Sequence, residues 1–321
     1  MAENPILLVT RLLPPDIEAR AARDYQAILN PDDVQYDGPA LVERSAGADA
    51  ILTCSTERFD AEVIAALPES VKALATFSVG YEHIDVEAAK ARGLVVTNTP
   101  DVLSNATADL AMLLLLGAAR RAHESAAMLR ENRWGRWVAT ELLGTEVTGK
   151  RLGILGMGRI GRAVAQRARG FDMEIHYCNR SRLPQELEAG ATYHEDAEEM
   201  LPGIDFLSIN CPATPETRHF LNAERIALLP DGAIVINTAR GTIVDDDALI
   251  PALQSGKLAA AGLDVFEGEP DIDPRYLEIE NALLVPHIGS ATLETRNAMG
   301  FRALDNLDAY FAGQEPGDRV A

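Results

Sequence analysis

Arg240, Glu269 and His287 are the side chains best placed to act on a small polar molecule, because each follows a short apolar run that reads as a β-strand. Arg240 stands in Asn237-Thr238-Ala239-Arg240-Gly241 and Glu269 in Asp264-Val265-Phe266-Glu267-Gly268-Glu269-Pro270, while His287 is followed by Ile288-Gly289-Ser290. Parallel α/β sheets bind ligands outside the carboxyl ends of their strands, where all three would lie. Their chemistry is complementary. Hydride transfer to a carbonyl leaves an alkoxide that needs a proton, and histidine donates one near neutral pH. A neighbouring carboxylate orients the ring and favours its protonated form. An arginine holds a carboxylate or polarises a carbonyl. Taken singly, the three read as a turn histidine, a surface charge and an ion-pair partner; their shared position at successive strand ends is what points to catalysis.

A second signal is Gly156-Met157-Gly158-Arg159-Ile160-Gly161. A bare G-x-G-x-x-G carries little information, but this one follows an apolar strand, opens an amphipathic helix and precedes a second strand ending at Cys178. Such glycines allow a tight turn and close backbone approach, so that a pyrophosphate sits on the helix N-terminus. The ribose end then reads Tyr177-Cys178-Asn179-Arg180-Ser181-Arg182, without the carboxylate that usually accepts from a 2′-hydroxyl. Two arginines beside Asn179 and Ser181 suit a 2′-phosphate. NADP(H) is therefore expected in preference to NAD(H), the alternative being that Arg180 and Arg182 are merely solvated.

The elements that must carry these residues alternate along the chain. Strand candidates are residues 6–10, 50–53, 73–77 and 95–99, then 151–155, 173–178, 206–210, 233–238, 259–265 and 283–287. Helical patterns at 61–67, 86–91, 160–169 and 248–255 lie between them, and a long helical stretch runs from 102 to about 130. Apolar strands separated by helices imply parallel sheets covered on both faces. The expected fold is α/β, with two doubly wound Rossmann-like domains and a cleft between them. Residues 1–100 plus 290–321 would form a flavodoxin-like, discontinuous substrate-binding domain, and 101–289 the dinucleotide-binding domain. Residues 313–321 read as a frayed tail.

Composition narrows the classes. The 321 residues are 47% hydrophobic and carry a formal charge of −20, a balance that repels nucleic acid and anionic membranes. The most apolar stretch, residues 106–119, is too short to span a bilayer and contains Asp109. The opening residues read as a strand at Ile6-Leu7-Leu8-Val9 rather than as a signal peptide, so a cytoplasmic location is expected. Cys54, Cys178 and Cys211 make neither a disulfide framework nor a zinc pattern, and no metal is expected. His83, His123, His176, His194 and His219 lack a paired acid on a strand end and read as structural or exposed.

Further segments join these: Ser78-Val79-Gly80-Tyr81-Glu82-His83-Ile84-Asp85, Thr107-Ala108-Asp109-Leu110-Ala111, and Cys211-Pro212-Ala213-Thr214-Pro215-Glu216-Thr217. With the glycine loop and the three catalytic segments in this order, the chain resembles the D-isomer-specific 2-hydroxyacid dehydrogenases over nearly its whole length. Ser78–Asp85 and Arg133-Trp134-Gly135-Arg136-Trp137 make it most similar to the glyoxylate and hydroxypyruvate reductases. The resemblance implies His287 as general acid in reduction with Glu269 as its partner, and Arg240 as anchor and polariser of a small 2-oxo acid. It implies that backbone N–H groups around Val79 and Gly80 bind the substrate carboxylate, and that domain closure excludes water. Thr107, Cys211, Pro212, Thr217, Thr238, Ala239, Asp264 and Gly289 would line the cofactor, with Asp264 near the nicotinamide carboxamide. Residues of about 102–145 would form a homodimer interface, with Trp137 either reaching the partner's substrate pocket or simply anchoring that interface. A family dehydrogenase for a bulkier 2-keto acid, phosphite or formate stays open, as does a nucleotide-sensing corepressor.

Overall fold

A computed structural model describes residues 4–321. The apolar runs form two series of strands. The first is β1 (Ile6–Val9), β2 (Gln26–Ile28), β3 (Ala50–Thr53), β4 (Ala73–Thr76) and β5 (Val95–Thr97). The second is β6 (Arg151–Leu155), β7 (Glu174–Cys178), β8 (Thr192–His194), β9 (Phe206–Ile209), β10 (Ala233–Asn237), β11 (Leu258–Leu263) and β12 (Ala282–Leu284). They pair in the orders β2-β1-β3-β4-β5 and β12-β11-β10-β9-β6-β7-β8, with every neighbouring strand parallel. The chain divides into two compact units, one holding the described residues up to Leu103 together with Ser290–Ala321, the other Ser104–Gly289. Each is a parallel-sheet α/β unit of the Rossmann-like kind.

Burial explains the strand type. All residues of β3, β4, β9 and β10 are buried, as expected when helices cover both faces of a parallel sheet. In the second unit the helix Ser104–Ala119 packs on the helix Arg159–Ala168 and on β10 and β11. Gly262 makes that approach possible: a Cβ there would stand 2.8 Å from Leu114 Cβ. In the first unit the helix Leu293–Phe311 packs on β4 and on the helix Pro15–Asp24, with Gly300 admitting Ile17.

Three expectations need correction. The strands β2 and β8 were not legible, since each has three residues and lies at a sheet edge, too short for a periodic signal. The helical stretch after residue 102 is two helices, Ser104–Ala119 and Ala122–Arg130, broken where Arg121 takes a φ of +50°. The C-terminal segment is not frayed. Val320 N–H donates to Val96 O at 2.8 Å, Ala321 is buried, and Asp318 accepts two hydrogen bonds of 2.7 Å from Arg302.

Candidate active site

In the larger sheet the chain passes β6, β7 and β8 on one side and then returns to β9 beside β6. The carboxyl ends of β6 and β9 therefore flank the point where strand order reverses, the usual ligand crevice of such sheets. The glycine loop leaves β6 there, and Asn210-Cys211 leaves β9. The three glycines do different things. Gly156 has a φ of +90°, and a Cβ on it would lie 2.6 Å from Cys211 N. Gly161 touches the turn itself, since its Cβ would meet Gly156 O at 2.5 Å. Gly158, the N-cap of the helix Arg159–Ala168, has only open space where a Cβ would stand and offers no side-chain cap. A tight turn, a close helix contact and an uncapped helix end with room in front suit a pyrophosphate, so these residues fit a dinucleotide.

Buried polar atoms add to that fit. Among the described residues Thr238 Oγ1, just beyond β10, and Asn210 Oδ1, just beyond β9, are buried without hydrogen-bond partners, and buried polar atoms normally have one. Thr217 instead folds its own loop, accepting from Thr214 N at 2.8 Å and donating to Pro212 O at 2.8 Å. Burial pushes the Cys211 thiol up to about 12, so it stays protonated at neutral pH.

At the end of β7 the four polar residues separate. Asn179 Oδ1 accepts from Met157 N at 2.7 Å and so pins the glycine loop. Arg182 is bound by Glu188, with Nε–Oε1 at 2.7 Å and Nη2–Oε2 at 3.1 Å, while Tyr177 donates to Glu188 Oε1 at 2.6 Å. Glu188 is buried, and its hydrogen bond from Arg182 holds its carboxyl below the usual range. Arg180 and Ser181 are exposed. Glu216 sits below the usual carboxylate range, chiefly through Thr214 and in smaller part through the charge of Arg180. Arg182 thus belongs with Glu188.

The catalytic candidates meet at the ends of β10, β11 and β12. His287 Nδ1 and Glu269 Oε1 are 2.5 Å apart, and Glu269 Oε2 accepts from Phe266 N at 3.1 Å. Burial pushes the Glu269 carboxyl up, but the hydrogen bond and charge of His287, with the charge of Arg240, bring it below its ordinary value. An ionised carboxylate only accepts, so Nδ1 carries the hydrogen and Nε2 is left to exchange a proton. His287 has a φ of +49°, unusual for a residue with a Cβ, and Asp264 holds it. Asp264 O accepts from His287 N at 2.8 Å, and its carboxylate accepts from Ile288 N at 2.6 Å and Gly289 N at 2.9 Å. Burial raises the Asp264 carboxyl, against the pull of those two N–H groups. Thr107 Oγ1 closes the group by donating to Gly289 O at 3.3 Å.

Arg240 Nη1 donates to Ala239 O at 2.7 Å, and Asn237 Nδ2 to Arg240 O at 3.0 Å. Gly241 was not singled out in the sequence, yet its Cβ would stand 1.9 Å from Phe266 C. Only a glycine lets the Arg240 loop lie against the loop that carries Glu269. Its one legible sign was a glycine directly after the candidate arginine. His219 also needs correction, because it has an acid partner: Nε2 lies 2.8 Å from Glu267 Oε2.

Val79 and Gly80 lie in the other unit, in the loop after β4. Trp137 is 78% exposed, in the segment after the helix Ala122–Arg130. Among the described residues no three His, Cys, Asp or Glu side chains are grouped to hold a metal. No helix among them is long and apolar enough to cross a membrane.

A doubly wound sheet with a dinucleotide loop and a His–Glu pair at its strand ends defines an NAD(P)-dependent oxidoreductase. Residues 112–289 match the family described as D-isomer specific 2-hydroxyacid dehydrogenase, NAD binding domain. The chain is 45% identical to a glycerate dehydrogenase of Hyphomicrobium methylovorum over 311 residues, 96% of this chain and 97% of that protein. It is 41% identical to a glyoxylate reductase of Thermococcus onnurineus, covering 98% of this chain and 95% of that one. Its fold superposes with a TM-score of 0.89 on an NADPH-dependent glyoxylate/hydroxypyruvate reductase of Sinorhizobium meliloti, solved with NADP and malonate, at 35% identity and with 99% and 97% of the two chains covered. The chain belongs to the D-isomer specific 2-hydroxyacid dehydrogenase family.

Proposed function

We propose that this protein reduces small 2-oxo acids, glyoxylate and hydroxypyruvate, to 2-hydroxy acids, with NADPH preferred over NADH. A nicotinamide cofactor held by the glycine-loop unit would supply the hydride that the carbonyl carbon accepts. His287 Nε2 then gives its proton to the carbonyl oxygen as charge develops there, and Glu269 keeps the ring in the tautomer and orientation that this requires. Arg240 holds the substrate and polarises its carbonyl. The N–H groups of Val79 and Gly80 take the substrate carboxylate, and Trp137 reaches the partner's substrate pocket or anchors the dimer interface.

The observation that carries this reading is the His287 Nδ1–Glu269 Oε1 contact of 2.5 Å, which leaves Nε2 as the exchangeable nitrogen. NADPH preference rests on the exposed Arg180 and on the absence of a carboxylate among residues 177–182. The similarity to a glycerate dehydrogenase supports the same chemistry from the product side, since glycerate is what hydroxypyruvate becomes on reduction. Thr107, Arg159, Ile160, Ser181, Pro212, Thr238, Ala239 and Gly289, the further residues of the proposed cofactor site, belong to the same unit as the glycine loop. A homodimer is part of the proposal: Leu113, Leu129, Trp134, Trp137 and Leu143 are all more than half exposed along one stretch of chain, and such exposed apolar surface favours a partner.

Initial rates of NADPH and NADH oxidation, each with glyoxylate and hydroxypyruvate, test the reading. Fast turnover with NADPH preferred is expected. Turnover with NADH alone would remove the cofactor preference and keep the reaction. Tight cofactor binding without turnover of either acid would remove the substrate class.

A further inference from the structure

The loop that would receive the substrate carboxylate is shaped from behind by hydrogen bonds within its own unit. Phe77 N still donates to Thr53 O at 2.7 Å, but beyond it the chain leaves the sheet. Three successive carbonyls are then each taken. Ser78 O accepts from Thr99 N at 2.9 Å, Val79 O from Asn98 Nδ2 at 2.7 Å, and Gly80 O from Ser78 Oγ at 2.6 Å. In a trans peptide the carbonyl of one residue and the N–H of the next point in opposite directions. Tying back these three carbonyls therefore turns the N–H groups of Val79, Gly80 and Tyr81 the other way. Among the described residues none of those three N–H groups has an acceptor. Successive N–H groups on one side of a loop make an anion-binding concavity.

The groups that do the tying are well buried. Asn98 is 8% and Ser78 9% exposed. Asn98 follows β5 directly and is fixed by its own backbone, with N–H donating to Asp318 O at 3.2 Å and its carbonyl accepting from Asn306 Nδ2 at 3.3 Å. Ser78 is fixed by a chain of single donors. Ser78 Oγ gives its hydrogen to Gly80 O, so it accepts from Thr76 Oγ1 at 2.7 Å. Thr76 Oγ1 in turn accepts from His83 Nε2 at 3.0 Å, so that nitrogen carries its hydrogen.

We infer that Asn98, seconded by Ser78, is the positioning residue of the substrate-carboxylate loop: it touches no substrate, and it sets the direction in which the loop's N–H groups point. The inference rests on the functional reading above and deepens it. A carboxylate anchor acts on the ground state and the transition state alike, so its loss appears in KM rather than kcat.

The test compares Asn98→Ala, Asn98→Asp and Ser78→Ala with wild type, using whichever nicotinamide cofactor gives the faster rate. Four quantities are read: KM and kcat for glyoxylate, Ki for oxamate (a 2-oxo acid isostere that carries the carboxylate but is not reduced), Kd for the cofactor, and Tm. Asn98→Ala should raise glyoxylate KM and oxamate Ki together by about tenfold, with kcat within about twofold and cofactor Kd unchanged. Asn98→Asp, which keeps the size and backbone bonds but turns an acceptor toward Val79 O, should do at least as much. Ser78→Ala should give a smaller rise of the same kind. Should Asn98→Ala fail to fold, the other two variants carry the test. Unchanged KM and Ki in folded variants, or cofactor Kd rising in step with them, would overturn the role of Asn98. Wild type that binds neither glyoxylate nor oxamate would instead remove the functional reading itself.

Discussion

Two histidine–glutamate pairs draw their glutamates from one loop of this protein and differ in which ring nitrogen is bonded. His287 pairs with Glu269 and His219 with Glu267, two residues apart, and the histidines have φ values of +49° and +47°. Their side chains are 44% and 38% exposed, so access to solvent does not separate them. The bonded nitrogen does. Glu269 takes Nδ1 of His287, leaving the outer Nε2 to exchange a proton, whereas Glu267 takes Nε2 of His219. The second acceptor bond differs too. Glu267 is also held by Arg218 at 2.6 Å, while Glu269 accepts from the Phe266 N–H and feels the charge of Arg240. A histidine whose reachable nitrogen is already bonded, to a carboxylate already shared with an arginine, is a structural joint. One whose outer nitrogen stays open has the geometry that the proposed proton donor needs.

Replacing each histidine by alanine gives the largest contrast. His287→Ala should lower kcat by about 100-fold or more, the usual size of a lost general acid. His219→Ala should change kcat by less than about threefold. Equal losses would show that the bonded nitrogen does not decide the role.

The same logic sharpens at the cofactor end, where Arg182 is bound by Glu188 and Arg180 is not. Arg180→Ala should raise KM for NADPH by about tenfold with little change for NADH, as expected for one charge-assisted hydrogen bond. Arg182→Ala should raise it less. A larger effect at Arg182 would mean that the 2′-phosphate displaces Glu188.

The smallest effect is the acid dependence of the catalytic pair. The Glu269 carboxyl titrates below its ordinary value. Its contribution to stability is therefore fully present above the ordinary glutamate pKa of about 4.3 and is lost as pH falls through the lower folded value. For a half-exposed pair this amounts to about 1–2 °C in Tm. Melting wild type and Glu269→Gln from pH 3.5 to 7 should show a gap that is fully open above the ordinary glutamate pKa of about 4.3 and narrows as pH falls below it. A gap that stays constant would show that Glu269 is not the ionised partner of His287.

Much of this was legible in the amino-acid sequence, and the reason is local. Apolar runs such as Ala233–Asn237, buried at every position, mark parallel strands in any context. The spacing of Gly156, Gly158 and Gly161 is a property of one turn, in which Gly156 and Gly161 make the close contacts that the pattern implies. Arg240, Glu269 and His287 were visible because strand ends carry ligands in this kind of sheet.

What the sequence could not decide was which partner each side chain would meet. His219 and Glu267 lie 48 positions apart, and no periodicity joins them. Arg182 resembled Arg180 until the fold brought a buried Glu188 to it. Asp264 was read only as a cofactor contact, and the fold adds that its oxygens hold Ile288 and Gly289 and so set the conformation of His287. Gly241 is required only because residues 266–267 approach it, and the C-terminal segment is ordered only because β5 and Arg302 receive it. Periodicity and turn chemistry are short-range and can be read along the chain. Hydrogen-bond partners, and with them the protonation state and freedom of each ionisable group, are fixed only when distant strands are brought side by side.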